Sequence, residues 1–200
     1  MADTGAPWNI PYVEPSDLVR DYPAADEAQA FAVAAGLSAA GGLVAVRYVE
    51  KTNVQSTSVG AGGNVAVSGL SIEHAVAEVG NRLLITAWVG VAGNSQGGGN
   101  TGLFVTQDGT PLTVGDAAGS RTRLSAGGRT AGAQATATQI SMPNITVAVT
   151  PTAGTKTYEV RAVNVQTATQ TVFIGRSSND DDSAGRSRGS AALLIMEVKV

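Results

Sequence analysis

From Leu43 to Val200 the chain consists of short runs rich in apolar, β-branched and aromatic residues, separated by Gly, Asn, Asp and Pro. Such runs are typical of β-strands joined by turns. Five runs show the pattern clearly, at residues 43–51, 82–91, 157–165, 170–176 and 192–200. Four weaker runs lie at 64–76, 100–107, 136–142 and 144–150. Because no helical run separates them, as parallel strands would require, the pattern predicts a mainly β, antiparallel β-sandwich.

Apolar and polar residues alternate along residues 157–162, where Tyr158, Val160 and Ala162 are the apolar members. A period of two is the pattern of a strand with one buried face. The glycine-rich stretches at 93–102 and 115–132 lack this alternation. They predict polar, flexible surface loops that tolerate small deletions.

The last run, 192–200, is apolar on both faces and ends at the last residue of the chain. We expect it to pair within a sheet, with Leu194, Met196 and Val198 facing the core. Leu193 and Ile195 then face outward and need another cover. Packing of identical copies around a closed symmetry axis supplies one, which predicts a homotrimer with Leu193 and Ile195 at its interface.

Residues 1–42 differ from the rest of the chain in composition, charge and periodicity. Prolines at 7, 11 and 15 fix φ and favour extended backbone, so residues 6–15 predict a stiff arm. Ser16 can cap one helical turn at 16–22, and Pro23 can start a short α-helix that ends before Gly41 and Gly42. The pattern therefore predicts two parts, an N-terminal arm and helix at 1–42 and a β-sandwich domain at 43–200.

The arm also holds an unusual share of the large apolar side chains. Exposed on a small domain these side chains favour association, and aromatic residues are frequent hot spots of protein interfaces. We therefore expect the arm to attach the domain to another subunit or protein, rather than to fold back on its own domain. The expected anchoring residues are Trp8, Ile10, Pro11, Tyr12, Val13, Leu18, Tyr22 and Phe31.

Two motifs suggest catalysis but lack the required context. Residues 93–97, GNSQG, match a nucleophile turn around Ser95, yet glycines follow where that motif needs a helix. The single histidine, His74, has no partner at motif spacing and fits a strand-surface or interface position better than a general base. We expect no catalytic residues and no enzyme activity.

Two charged stretches suggest ligands. Residues 177–188 contain acids at 180–182 that could hold a cation, but the pattern of a calcium loop is incomplete and a solvated hairpin tip is the simpler interpretation. Residues 115–129 contain three arginines among glycines without a helix start that would cradle phosphate. We expect no cofactor and no metal; whether the loop at 179–182 binds a cation stays open.

Composition restricts the partners. The chain has no cysteine, which excludes disulfides and fits synthesis in a reducing cytoplasm. Residues 1–42 hold six acids and one arginine, a balance of −5, and residues 43–200 hold ten acids and twelve bases, a balance of +2. Neither part has the basic face that nucleic acid requires, and no run of about 18 apolar residues predicts membrane insertion.

Two groups of segments resemble a known family. IPYVEPSDLVRDYPAADEAQAFAVAAGLSAAGGLVAV resembles the N-terminal region of minor tail or virion structural proteins from tailed phages of actinobacteria. LSIEHAVAEVGNRLLITAWVG, VGDAAGSRTRL, TKTYEVRAVNVQ and SAALLIMEVKV resemble the β-domain that follows in those proteins. The layout is also similar to trimeric jelly rolls of the tumour-necrosis-factor type, which end on an apolar strand near the subunit interface.

The resemblance implies a non-enzymatic protein of the phage particle, on the tail or decorating the capsid. The arm would bind other virion proteins, and a trimeric, jelly-roll-like β-sandwich would point outward. The alternative is the head of a phage fibre that binds a host receptor or carbohydrate, and so contacts the host cell surface.

Overall fold

The computed structural model describes residues 2–3, 11–12, 42–93, 100–129, 140–179 and 188–200. Every element of regular secondary structure in these ranges is a β-strand. The strands are β1 (Ala2–Asp3), β2 (Pro11–Tyr12), β3 (Leu43–Lys51), β4 (Gln55–Val59), β5 (Asn64–Ala75), β6 (Arg82–Val89), β7 (Val91–Gly93), β8 (Asn100–Gln107), β9 (Thr110–Leu112), β10 (Ala126–Arg129), β11 (Asn144–Val149), β12 (Thr155–Asn164), β13 (Gln170–Ile174) and β14 (Ala191–Val198).

The strands form antiparallel sheets, as predicted. The four-stranded sheet has the order β11-β6-β14-β3. The five-stranded sheet has the order β10-β8-β12-β5, with β9 paired to β8. A shorter sheet of order β4-β13-β7 continues the structure, and β1 pairs with β2.

One hydrophobic core joins the three larger sheets. Ile85 and Leu193 of the four-stranded sheet, Leu103 and Val160 of the five-stranded sheet, and Ile174 of the short sheet all belong to a single buried cluster. Each large apolar side chain transferred from water into such a core stabilises the fold by about 1.5–3 kcal/mol before entropic costs. The protein is thus mainly β and sandwich-like, as the alternating runs predict.

Most predicted strands are confirmed, and the alternation in β12 is among the clearest cases. Tyr158, Val160 and Ala162 are each 0% exposed, and the residues between them are only partly buried. Both predicted loops contain strand residues, however. β8 starts at Asn100 with Thr101 already buried, and residues 126–129 form the edge strand β10. The helix predicted between Pro23 and Gly41 falls outside the described residues.

The predicted facing of the last strand is wrong. Leu193 and Ile195 are 0% exposed and lie in the core of a single chain, whereas Leu194 and Met196 lie on the opposite side of β14. The error comes from Glu197, which is also 0% exposed and shares the inward side. Because a charged residue is expected to face solvent, Glu197 makes the sequence pattern assign its side of the strand to the outside. A shift of one residue in this assignment moves every side chain of the strand to the other face of the sheet. Leu193 and Ile195 therefore stabilise the core of one subunit rather than an interface.

Two glycines in the described part of the 115–132 stretch differ in how closely other atoms pack against their backbone. A Cβ placed on Gly128 of β10 would lie 2.6 Å from the Cβ of Ser141, whereas a Cβ on Gly115 would meet nothing closer than 4.0 Å. We expect Gly128→Ala to lower the free energy of unfolding by about 1–3 kcal/mol through overpacking. Gly115→Ala, the matched control, should change it by less than about 0.5 kcal/mol. Equal effects in urea denaturation would mean that β10 is not packed against residue 141.

Candidate functional site

The outer side of the four-stranded sheet carries apolar side chains, although it points away from the core. Successive residues of a strand face opposite sides, so the neighbours of each core residue point outward. The register aligns Val46, Met196, Leu84 and Ala148 in one row across the four strands. We call this surface the outer face; its residues are Leu43, Val46, Tyr48, Leu84, Thr86, Trp88, Thr146, Ala148, Leu194, Met196 and Val198.

The most exposed large side chains of the outer face lie on the edge strand β3. Leu43 is 59% exposed, Val46 is 45% exposed and Tyr48 is 52% exposed. The ring of Tyr48 lies 6.4 Å from that of Trp88, at a tilt of 39°. Ala192, which pairs with Trp88 on the intervening strand β14, is small enough to let the two rings approach. A tyrosine and a tryptophan thus form an aromatic pair at one end of the outer face.

Charged residues flank this surface at the ends of the strands. Arg82 pairs with Val198 at one end, and Glu50 pairs with Ala192 at the other. With strands about 4.8 Å apart and about 3.3 Å per residue, four strands of eight residues span roughly 500 Å² of flat sheet. The largest apolar patch on a typical soluble monomer covers about 300–600 Å² and is often functional. The outer face is therefore the candidate site of protein interaction.

A polar cluster lies inside the sandwich, around the carboxylate of Glu197. Its Oε2 is 2.8 Å from Nε2 of His74, and its Oε1 accepts hydrogen bonds from Asn81 Nδ2 at 2.6 Å and from the Ala77 N–H at 2.9 Å. His74 lies on β5 of the five-stranded sheet, and Glu197 lies on β14 of the four-stranded sheet. The pair therefore joins the two sheets and holds the 76–81 turn against them.

His74 is 2% exposed, so its predicted position on a strand surface is wrong. The sequence offers no signal for its partner, because 123 residues separate His74 from Glu197. A general acid or base must reach its substrate within hydrogen-bond distance. With both side chains enclosed, the arrangement suits a structural joint between the sheets.

The hydrogen bonds to Glu197 favour the ionised form of its carboxylate. Burial alone raises the pKa of Glu197, but the donors Asn81, Ala77 and His74 outweigh it and hold that pKa below its usual value. Nearby, Tyr158 is fully buried and its hydroxyl donates to Gln107 Oε1 at 3.3 Å. Burial, with smaller effects of the Asp108 and Glu197 charges, raises the pKa of Tyr158 to about 12.

An open depression of about 600 Å³ lies between the turn at 60–63 and the segments 120–122 and 165–167. Among the described residues that line it, Arg121 carries the one charge, beside hydroxyl and amide groups. Among the described residues, no cluster of three His, Asp or Glu side chains is placed to hold a metal ion. In the same ranges, no helix is long and apolar enough to cross a membrane.

None of the predicted anchoring side chains is among those that the structure describes. Pro11 and Tyr12 form β2, whose backbone pairs with Asp3 and Ala2. The other six predicted residues, together with Ser95 and the acids at 180–182, lie outside the described residues. The outer face was missed because the sequence pattern assigned Leu194, Met196 and Val198 to the core.

No family model matches the chain, and no curated protein matches it.

The joint around Glu197 predicts a specific loss of stability in acid. Because the folded-state pKa is lowered, the carboxylate stabilises the fold fully above its unfolded pKa of about 4.3, and this stabilisation is lost as pH falls through the lower folded value. Glu197→Gln should lower the free energy of unfolding at pH 7 by about 1.5–3 kcal/mol, the scale of hydrogen bonds to a charged group. It should also flatten the dependence of stability on pH below 5.

Glu78→Gln is the matched control, since Glu78 is 65% exposed and its Oε2 lies 3.9 Å from Lys199 Nζ. An exposed pair of this kind contributes little. Urea denaturation at pH 7 and at pH 3–5 separates the two variants. If Glu197→Gln and Glu78→Gln behave alike, the joint is not the source of acid sensitivity.

Tyr158 predicts a second effect, in alkali. Its pKa of about 12 in the folded state exceeds the value of about 10 for an unfolded tyrosine, so the unfolded chain ionises first and stability falls between pH 10 and 12. Absorbance of tyrosinate should show one tyrosine that ionises near pH 12, and Tyr158→Phe should remove that step. Removal of the step by Tyr48→Phe instead would contradict the assignment.

Proposed function

We propose that the chain is a non-enzymatic structural protein of a bacteriophage particle. Three copies associate through their β-domains, and the N-terminal arm attaches the trimer to other virion proteins of the tail or capsid. The chain is synthesised in the host cytoplasm and ends in the virion. The observation that carries this proposal is the outer face, an apolar surface suited to permanent assembly rather than to a free monomer.

The strand order supports a jelly-roll-like fold for this protein. Eight strands, β3, β5, β6, β8, β10, β11, β12 and β14, can be numbered one to eight along the chain. The four-stranded sheet then reads 6-3-8-1, and the main path of the five-stranded sheet reads 5-4-7-2. Two sheets that share eight strands in this interleaved way are the arrangement of a double Greek key. Jelly rolls are frequent in virus particles, which agrees with the sequence resemblance.

In this proposal, the N-terminal arm attaches the β-domain to the particle. β3 begins at Leu43, where the composition of the chain changes. Trp8 and Tyr12 precede this boundary in a proline-fixed segment, which keeps the ordering cost of docking low. A β-domain joined to an adhesive N-terminal arm is an arrangement suited to decoration of a larger particle.

The exposed ring of Tyr48 beside Trp88 favours one alternative, a head that binds carbohydrate on the host cell surface. Sugar sites use aromatic platforms next to polar groups, and Glu50 follows on the same side of β3. A carbohydrate-binding head must leave the Tyr48 ring accessible, whereas a trimer interface on this face would cover it. Retention of glycan binding by a stable trimer, and its loss in Tyr48→Ala, would favour the alternative.

The proposal predicts that the chain joins particles through its arm. Val200 is 79% exposed, so an epitope tag at the C-terminus should leave the fold intact. Tagged copies should appear on purified phage particles by immunogold labelling. Trp8→Ala with Tyr12→Ala should reduce incorporation at least tenfold, because each large apolar side chain contributes about 1.5–3 kcal/mol on burial.

The double variant Val79→Ala with Val200→Ala is the matched control. It also removes two apolar side chains, which are 78% and 79% exposed and lie outside the arm. It should join particles normally. The function would have to be rejected if the tagged, folded chain never copurified with particles.

A further inference from the structure

We propose that the open depression between the 60–63 turn and the segments 120–122 and 165–167 binds a sugar that carries a carboxylate, of the uronic or sialic acid class. Arg121 binds the carboxylate, and hydroxyl groups of the lining bind those of the sugar. The inference goes beyond the proposed function, because it concerns the isolated chain and needs neither a trimer nor a virion. None of the described lining residues belongs to the outer face, so the site is separate from the aromatic pair there.

Asn164, at the end of β12, holds two walls of the depression in place. Its side chain is fully buried, and its Nδ2 lies 2.8 Å from the carbonyl oxygen of Val59 and 2.9 Å from those of Gly60 and Ala168. Its Oδ1 accepts a hydrogen bond from the Gln166 N–H at 2.8 Å. One buried side chain thus joins the turn before β5 to the loop after β12. A site with preformed walls loses little conformational freedom when a ligand binds.

The third wall is the segment between β9 and β10, which is held by its own hydrogen bonds. The Gly115 N–H donates to the carbonyl oxygen of Leu124 at 3.3 Å, and Arg123 Nε donates to that of Gly115 at 2.6 Å. A Cβ placed on Gly62 would lie 3.6 Å from Oγ1 of Thr122, which is ordinary van der Waals contact. This segment therefore packs against the turn before β5 and closes the depression on that side.

The guanidinium of Arg121 selects the charge of the ligand. Arg121 is exposed, and its guanidinium forms no ion pair or hydrogen bond with any residue that the structure describes. The described lining residues include no acid that would neutralise it. A guanidinium presents a planar fork of N–H donors that binds a carboxylate or a phosphate through two parallel hydrogen bonds. The depression is therefore suited to an anion.

A single arginine fits a carboxylate better than a phosphate. A carboxylate carries one negative charge, whereas a phosphate monoester carries about 1.5 to 2 at neutral pH. Phosphate sites usually add the N–H groups of a helix start to their cations. The described elements are all strands, so within them no helix start supplements the charge of Arg121.

The rest of the lining fits a sugar acid better than a simple organic acid. Ser120, Thr122 and Thr167 supply hydroxyl groups, which both donate and accept hydrogen bonds, as the hydroxyls of a sugar do. Ala61 and Val165 supply apolar contact for the C–H groups of a sugar ring. The volume of about 600 Å³ lies within the range of about 300–1,000 Å³ for small-molecule sites. An ion as small as acetate would leave most of these walls without contact.

NMR titration of the ¹⁵N-labelled full chain tests the proposal with D-glucuronate and N-acetylneuraminate. At least one of them should bind about tenfold more tightly than glucose, which lacks the carboxylate, and than acetate, which lacks the sugar. The acid that binds more tightly identifies the source, uronic or sialic. The amides whose signals shift should cluster at 61–62, 120–122 and 165–167.

Substitutions on the full chain assign the roles. Arg121→Ala should weaken binding of the sugar acid about tenfold, and Arg121→Lys, which keeps the charge but loses the fork, should fall between. Arg47→Ala, the matched control, removes an exposed arginine of β3 and should bind as the wild type does. Thr167→Val keeps the shape but removes a hydroxyl, so it should weaken sugar binding by about two- to tenfold and leave acetate unaffected. Circular dichroism should be unchanged, because all three residues are exposed.

Several results would overturn the proposal. Absence of binding by both sugar acids would do so, and so would unchanged affinity in Arg121→Ala. Equal affinity for acetate would reduce the depression to a non-specific anion site, and tighter binding of glucose 6-phosphate would contradict the choice of a carboxylate. Loss of binding in Tyr48→Ala would place the sugar on the outer face instead. None of these results bears on copurification with phage particles, so the inference and the proposed function fail or stand separately.

Discussion

The inward carboxylate of Glu197 is the interaction on which the arrangement of the molecule depends. β14 is a central strand, paired with β3 on one side and with β6 on the other. With Glu197 held by His74, Asn81 and the Ala77 N–H, the side chains of Leu193 and Ile195 must share its side of the strand. One buried charge thus fixes which residues of the sheet form the core and which form the outer face. The joint also ties this sheet to the five-stranded sheet, because His74 belongs to β5.

Strand positions could be predicted from the sequence because they depend on local composition. The run 43–51 coincides with β3, and the run 144–150 differs from β11 by one residue. β4, β9 and β10 were missed, since QSTSV, TPL and AGGR are short, polar or glycine-rich and gain their hydrogen bonds only from neighbouring strands. Local composition cannot reveal pairing of this kind.

The candidate site was harder to predict, for a physical reason. Both sides of β14 are apolar, so hydrophobicity does not determine which side faces inward. The deciding contact joins residues 74 and 197, which are remote in sequence. A buried carboxylate contradicts the general rule that charges lie outside, and only its three hydrogen-bond donors make the position favourable. The sequence did indicate an apolar surface in need of cover, but it assigned the wrong residues to it.

The position of the core has a consequence for the order of folding and assembly. The buried cluster, including Leu193 and Ile195, is complete within one chain, so a single subunit can fold before it meets another. The outer face then lies on a finished sheet whose central strands β6 and β14 are each paired on both sides. A preformed surface loses little conformational freedom on association, which favours tight binding. The exposed apolar side chains and Tyr48 of this surface favour association of the folded chain through it.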